Sequence, residues 1–155
     1  VSDAGSLLDR LSDARLVHLD ARVVALHLIG DGRFLPLTRA LVAAIRDGAV
    51  RAQTSVLTLY QLLAELYRRG ERERAAELAR SLMVHGGLEL IPTTDEIAVQ
   101  AAQVRAQLGG RPERAIQIAT ALVSGAEVYV TEGSGLRRIV GMTVANLEDY
   151  ARSPA

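Results

Sequence analysis

The feature that most constrains this chain is an alternation. Short apolar runs are separated by longer stretches with helical spacing, and no two short runs lie close enough for an obvious hairpin. "RLVHLD" (15–20), "AVRAQT" (49–54), "LELIP" (88–92) and "EVYVT" (127–131) read as strands. "GMTVANLEDYA" (141–151) adds a last short strand and a short terminal helix. Strands that return through helices form a mostly parallel sheet covered on both faces. The expected class is therefore α/β, with about five short strands in a central sheet and helices on either side.

The helical stretches carry their own punctuation. "ARVVALHLIG" (21–30) stops at Gly30 and Gly32. "PLTRALVAAIRDG" (36–48) and "PERAIQIATALVSG" (112–125) open on Pro and close on Gly, the asymmetry expected of a helix. "SVLTLYQLLAELYRRG" (55–70) begins with Ser55, a good N-cap, and repeats apolar residues at three- and four-residue spacing. "ERERAAELARSLMVHGG" (71–87) reads as its hairpin partner. "TDEIAVQAAQVRAQLGG" (94–110) opens on a Thr cap with acids in its first turn, which suits the helix dipole.

At 155 residues the chain fits one domain, expected over 15–151, with 1–14 as an N-terminal extension and 152–155 as a tail. There is no Cys, so disulfides and thiolate metal sites are excluded. All 18 basic residues are Arg; the missing Lys excludes Schiff-base chemistry and a Walker loop. Eighteen acids balance them, so no overall basic field recruits nucleic acid or an anionic membrane. The opening residues are mixed and charged, and no apolar run approaches a membrane span. A soluble, cytoplasmic protein is expected.

Sites in parallel sheets lie beyond the carboxyl ends of the strands. That directs attention to Asp20, the 54–61 segment, the start of the helix at 112, and 131–135. Asp20 reads equally well as a site acid or as an N-cap. His18, His27 and His85 have no i, i+4 pairing, which argues against zinc. "GDG" (30–32) and "GSG" (133–135) do not complete a dinucleotide fingerprint and read as turns; Ser124 and Ser134 lack a nucleophile setting. "YRRGERER" (67–74) is a solvated charged face or a patch for RNA or a partner.

The order of elements, "SVLTLYQLLAEL", and above all "AIQIATALVSGAEVYVT" followed by "GLRRI", resemble a PIN domain. The likeness is to the VapC-type toxin ribonucleases of bacterial toxin–antitoxin modules. It implies a PIN-like fold, a homodimer, an antitoxin peptide across the groove, and four or so carboxylates. These hold Mg²⁺ or Mn²⁺, which activates water against an RNA phosphodiester; such hard cations want oxygen ligands. Carried over, the first family acid is present as Asp20. The helix acid falls on Gln61, the acid opening the 112–125 helix falls on Arg114, and the acid after strand four falls on Gly133, with Thr131 kept.

A guanidinium 5 Å from a divalent cation is repelled by about 6–7 kcal/mol at an effective dielectric of 20. No cofactor is therefore expected, and the family reaction should be lost. Arg114 is expected to pair with Asp20 in place of a metal, with Arg22 competing or assisting, and Arg22, Arg114, Arg137 and Arg138 to line a groove for RNA or an acidic peptide. The alternative is an active Mg/Mn-dependent endoribonuclease in which Glu65, Glu113 or Glu132 joins Asp20. Glu65 stands one turn from Gln61, Glu113 is rotated about 100° from Arg114, and Glu132 should point away from position 133. A purely structural or assembly role is the third class.

Overall fold

The computed structural model describes residues 3–84, 87–133 and 135–151. The chain runs α1 (Ala4–Ser12), β1 (Val17–Leu19), α2 (Ala21–Ile29), α3 (Leu35–Arg46), β2 (Ala52–Ser55), α4 (Val56–Arg68), α5 (Arg72–Val84) and β3 (Leu88–Ile91). It continues through α6 (Asp95–Leu108), α7 (Pro112–Val123), β4 (Val128–Thr131) and β5 (Thr143–Asn146) to a 3₁₀ turn at Leu147–Asp149. The five strands form one sheet in the order β3-β2-β1-β4-β5, every pair parallel. The expected α/β architecture is the observed one.

Period-two alternation divides the core into two layers. Val17 and Leu19 of β1 and Val128 and Val130 of β4 face Leu7, Leu11, Val23, Leu37, Leu41 and Ile45 from α1–α3. On the other face Leu16 and Tyr129 meet Ile97, Ala101 and Val104 of α6 and Ala115, Ile118 and Ala119 of α7. Helix α1, within the N-terminal extension, packs on the domain. Leu7 and Leu11 of α1 are wholly buried, Asp3 caps the helix through Ser6, and the Asp3 N–H donates to the Tyr150 carbonyl at 2.8 Å. Burying a Leu contributes roughly 1.5–3 kcal/mol, so two of them at this spacing bind α1 to the domain.

Local signals explain the joints. Ser55 caps α4 through Leu57 N–H at 3.0 Å, and Thr94 caps α6 through Ile97 N–H at 3.2 Å. Gly30 ends α2 at φ +70°, the left-handed region where Gly carries no Cβ penalty. The chain leaves β1 toward β2 and β3 on one side and returns as β4 and β5 on the other. The carboxyl ends of β1 and β4 therefore form the switch point where parallel sheets open a crevice.

Candidate functional site

Asp20 follows β1 directly, and Thr131 ends β4. Both readings of Asp20 hold at once: it caps α2 and it stands in the crevice. Its Oδ1 accepts the Val23 N–H at 3.1 Å, and its Oδ2 accepts the Thr131 hydroxyl. Burial raises its pKa to about 6; Thr131, the backbone N–H groups of Val23 and Arg22, and lastly the charge of Arg114 pull the other way. Arg114 is thus the weakest of these influences. The carboxyl accepts hydrogen bonds from the Thr131 hydroxyl and from the start of α2, and the charge of Arg114 also favours its ionised form.

A cleft of about 1060 Å³ opens at this point. It gathers Asp20, Gln61, Arg114, Thr131 and Gly133, together with Glu65, Glu113 and Glu132. The sequence therefore placed these residues around one site. Arg22 also lines it, but its guanidinium Nε donates to Glu132, which is buried on β4's exit, rather than to Asp20. Glu65 lies on the cleft wall and is claimed by Arg68 at 2.7 Å and Arg69 at 2.8 Å; those hydrogen bonds hold its pKa down at about 2. Arg137 and Arg138 are exposed and lie outside the cleft lining. Arg137 turns instead to Asp149, whose two oxygens it meets at 2.7 and 2.8 Å. The reason is local: the 3₁₀ turn carries two acids, Glu148 and Asp149, within its reach.

Gly133 has φ +71°, and a Cβ there would come no closer than 4.0 Å to Glu148 Oε1. Space is available; backbone conformation is what favours Gly. Gln61 Oε1 is buried with no hydrogen-bond partner among the described residues. An acceptor left in this state costs roughly 1–3 kcal/mol, so the position is one that a donor group entering the cleft would satisfy.

Beneath the cleft lies a polar chain that the sequence did not reveal. Gln53 Nε2 donates to His18 Nδ1 at 3.2 Å, which leaves His18 Nε2–H to donate to Gln117 Oε1 at 2.8 Å. Gln117 Nε2 donates to Thr58 Oγ1 at 2.7 Å, Thr58 to Thr54, and Thr54 to the Leu19 carbonyl at 2.6 Å. Each link pairs one donor with one acceptor, so the chain fixes a neutral His18 tautomer. Burial lowers its pKa to about 4, against the raising effect of Gln117. Its ring stacks on Tyr129 at 5.3 Å and 7°. The one available signal was Gln117 itself, a polar residue on the otherwise apolar stripe of α7. His27 Nδ1 shares a hydrogen bond with the Thr38 hydroxyl of α3 at 3.2 Å and stands outside the cleft lining. His85, Gly86 and Ser134 lie outside the described residues.

The donor set suits a hard divalent cation poorly. Among the described residues no three of His, Asp and Glu group as a metal site. Asp20 has its oxygens engaged and its pKa raised, and Gln61, Arg114 and Gly133 offer one amide oxygen, a cation and no side chain. Apolar side chains complete the walls: Leu28 and Ile29 from α2, Leu62 and Leu66 from α4, and Leu78 from α5.

Comparison with solved structures returns the same fold. A toxin–antitoxin complex from Klebsiella pneumoniae aligns at TM-score 0.62 and 17% identity, over 84% of this chain and 97% of that one. VapBC2 from Rickettsia felis, bound to a DNA fragment from its promoter, aligns at 0.64 and 13%, over 84% and 98%. DNA-bound VapBC from Salmonella typhimurium aligns at 0.59 and 18%, over 84% and 97%. Comparison with curated protein sequences finds no significant match. The PIN domain family model matches residues 17–141, from the start of β1 to the approach to β5. Fold, switch-point cleft and family match agree, and the chain belongs to the PIN domain family.

Proposed function

We propose that this chain is a PIN-fold binding module that does not cut RNA by the family's metal-dependent route. The observation that carries the reading is the content of the cleft. At the positions where the family resemblance puts acids stand Gln61, Arg114 and Gly133, and the remaining Asp20 is held by Thr131 and the start of α2. The displaced-acid alternative is weaker because two of its three acids are engaged elsewhere, Glu65 by Arg68 and Arg69 and Glu132 by Arg22.

A protein segment suits the cleft better than RNA does. The five Arg of its lining, Arg22, Arg69, Arg74, Arg111 and Arg114, are matched by Asp20, Glu65, Glu77, Glu113 and Glu132, which leaves no net positive field for phosphates. The leucine and isoleucine walls offer apolar burial instead. The structural neighbours are complexes with antitoxins, so an antitoxin-like peptide is the proposed occupant, on a cytoplasmic homodimer.

The test uses purified protein with labelled single-stranded and structured RNA, with and without Mn²⁺. Intact RNA is expected in every lane. Cleavage that requires Mn²⁺ and disappears in Asp20→Asn would reinstate the enzyme. A mobility shift without cleavage would favour RNA over a peptide as the ligand.

A further inference from the structure

The floor of the cleft carries two polar atoms that the fold leaves unanswered. One is Gln61 Oε1, sealed from water with no hydrogen-bond partner among the described residues. The other is the hydroxyl of Tyr129. This residue is 1% exposed, stacks its ring on His18 and borders the cleft. Among the described residues no hydrogen bond reaches the hydroxyl. Burial raises its pKa; the charge of Asp20 adds to this and that of Arg114 opposes it. Buried polar groups are almost always paired, so two unanswered ones at one site mark a place that a ligand completes.

The packing brings them to the same floor. Thr58 and Gln61 stand one turn apart on α4, and Arg114 and Gln117 one turn apart on α7. The Gln117 amide donates to Thr58 Oγ1 at 2.7 Å, and from that contact Gln61 and Arg114 both rise into the cleft lining. Gln117 also accepts from His18, the ring on which Tyr129 stacks.

We propose that this floor is a subsite for a neutral primary carboxamide, whose N–H donates to Gln61 and whose carbonyl accepts from Tyr129. The inference rests on the reading of the cleft as a binding site and states what that site selects. The terminal torsion of Gln is soft, so the Gln61 amide can turn its oxygen to an arriving donor. Charge selects against other heads. A carboxylate would lie beside Asp20, and an ammonium or guanidinium beside Arg114, where little water screens either. A hydroxyl must donate and accept from one atom. A carboxamide spreads the two roles over separate atoms, as two separate residues require. Leu28, Leu62 and Leu66 on the walls offer apolar contact to the body that carries the amide. An Asn or Gln side chain of a docked segment and a small free amide share this chemistry.

The test is an NMR titration at about pH 7.5 with hexanamide, hexanoate and hexylamine, which differ in the head group. Hexanamide is expected to shift the backbone signals of Gln61, Thr131 and Gly133 with millimolar dissociation, and each charged molecule to bind about tenfold more weakly or worse. Tyr129→Phe removes one hydroxyl and keeps the ring on His18. It should weaken hexanamide about fivefold and leave the urea midpoint unchanged or higher, because in the free protein that hydroxyl holds nothing. Asp20→Asn keeps an N-cap oxygen and should admit hexanoate several-fold better. Equal binding of the three molecules, full hexanamide binding in Tyr129→Phe, or a clearly lower urea midpoint in that variant overturns the subsite. An end-blocked Leu-Gln-Leu peptide is expected to bind more tightly than hexanamide, with the same Tyr129→Phe loss; a peptide no tighter overturns a protein segment as the source of the amide. RNA cleavage that requires Mn²⁺ would overturn the binding-module reading and leave the amide preference standing.

Discussion

The two helices α7 and α4 show what decides burial in this molecule. α7 follows α6 and α4 follows β2 directly; they run 12 and 13 residues, and both carry an apolar stripe. α7 buries six residues, Ala115, Gln117, Ile118, Ala119, Thr120 and Ala121; α4 buries only Thr58. The difference lies in what each helix rests upon. α7 lies over the sheet against Tyr129 and the polar chain of β1 and β2, with α6 behind it. α4 leaves the sheet and packs mainly on α5, whose own cleft-facing side is half exposed. Similar amphipathic sequence thus produces a stabilising helix where the sheet is underneath and an unsatisfied one where it is not. The unsatisfied one is where partners are expected.

The contrast is broken most directly in the core. Ile118→Ala should cost 2–5 kcal/mol in chemical denaturation, the range for emptying a close-packed apolar site, because Ile118 is 1% exposed among rigid neighbours. Leu62→Ala, on a half-exposed cleft wall, should cost clearly less. Equal losses would mean that the hairpin is as firmly packed as α7.

The polar chain under α7 is the next lever. His18→Leu keeps the volume but leaves Gln53 Nε2 and Gln117 Oε1 unpaired in the core, at roughly 1–3 kcal/mol for each orphaned group. A loss of about 2–4 kcal/mol in urea denaturation is expected. A neutral result would mean that water reaches these groups, and that α7 is less sealed than its burial implies.

Acid sharpens the same point, because the two buried titrating groups of the site act in opposite directions. His18 has a folded pKa near 4 against an ordinary 6.5, so only the unfolded chain binds its proton as pH falls through this window. Stability is lost from pH 6.5 down to about 4, by about 3 kcal/mol in total. Asp20 has a folded pKa near 6 against an ordinary 3.8, so the folded chain protonates first. Stability is gained as pH falls from about 6 to 4, again by about 3 kcal/mol. The two contributions nearly cancel. Asp20→Asn removes the second while keeping an N-cap oxygen, and its stability should fall faster than that of the wild type between pH 6.5 and 4. Parallel pH curves for the two proteins would sink the paired assignment.

How far the sequence could be read follows the same division. The strand order and the residues around the cleft were legible because parallel sheets place their sites at known chain positions, and Asp20, Gln61, Arg114 and Gly133 all arrive there. The Arg22–Glu132 pair was not, because it joins residues 110 apart and depends on the β1–β4 register. Nor was the role of α1, whose nine residues carry only a few apolar positions in a charged setting, although Leu7 and Leu11 reach the core. Arg137 looked like groove lining until the 3₁₀ turn placed Asp149 beside it. In each case the missing information was a long-range partner, which spacing along the chain does not encode.

The smallest expected effect completes the comparison. Tyr67→Ser, measured by urea denaturation at about 1 µM, should change stability by less than about 0.5 kcal/mol, the usual range for a surface substitution. Tyr67 is 54% exposed, so most of its ring contributes nothing to the folded monomer. Its removal also lowers the apolar surface presented to water in both the folded and unfolded chains, and those terms largely offset. A loss above about 1.5 kcal/mol would place Tyr67 in a packed monomer surface. α4 would then resemble α7, and the contrast between the two helices would no longer hold.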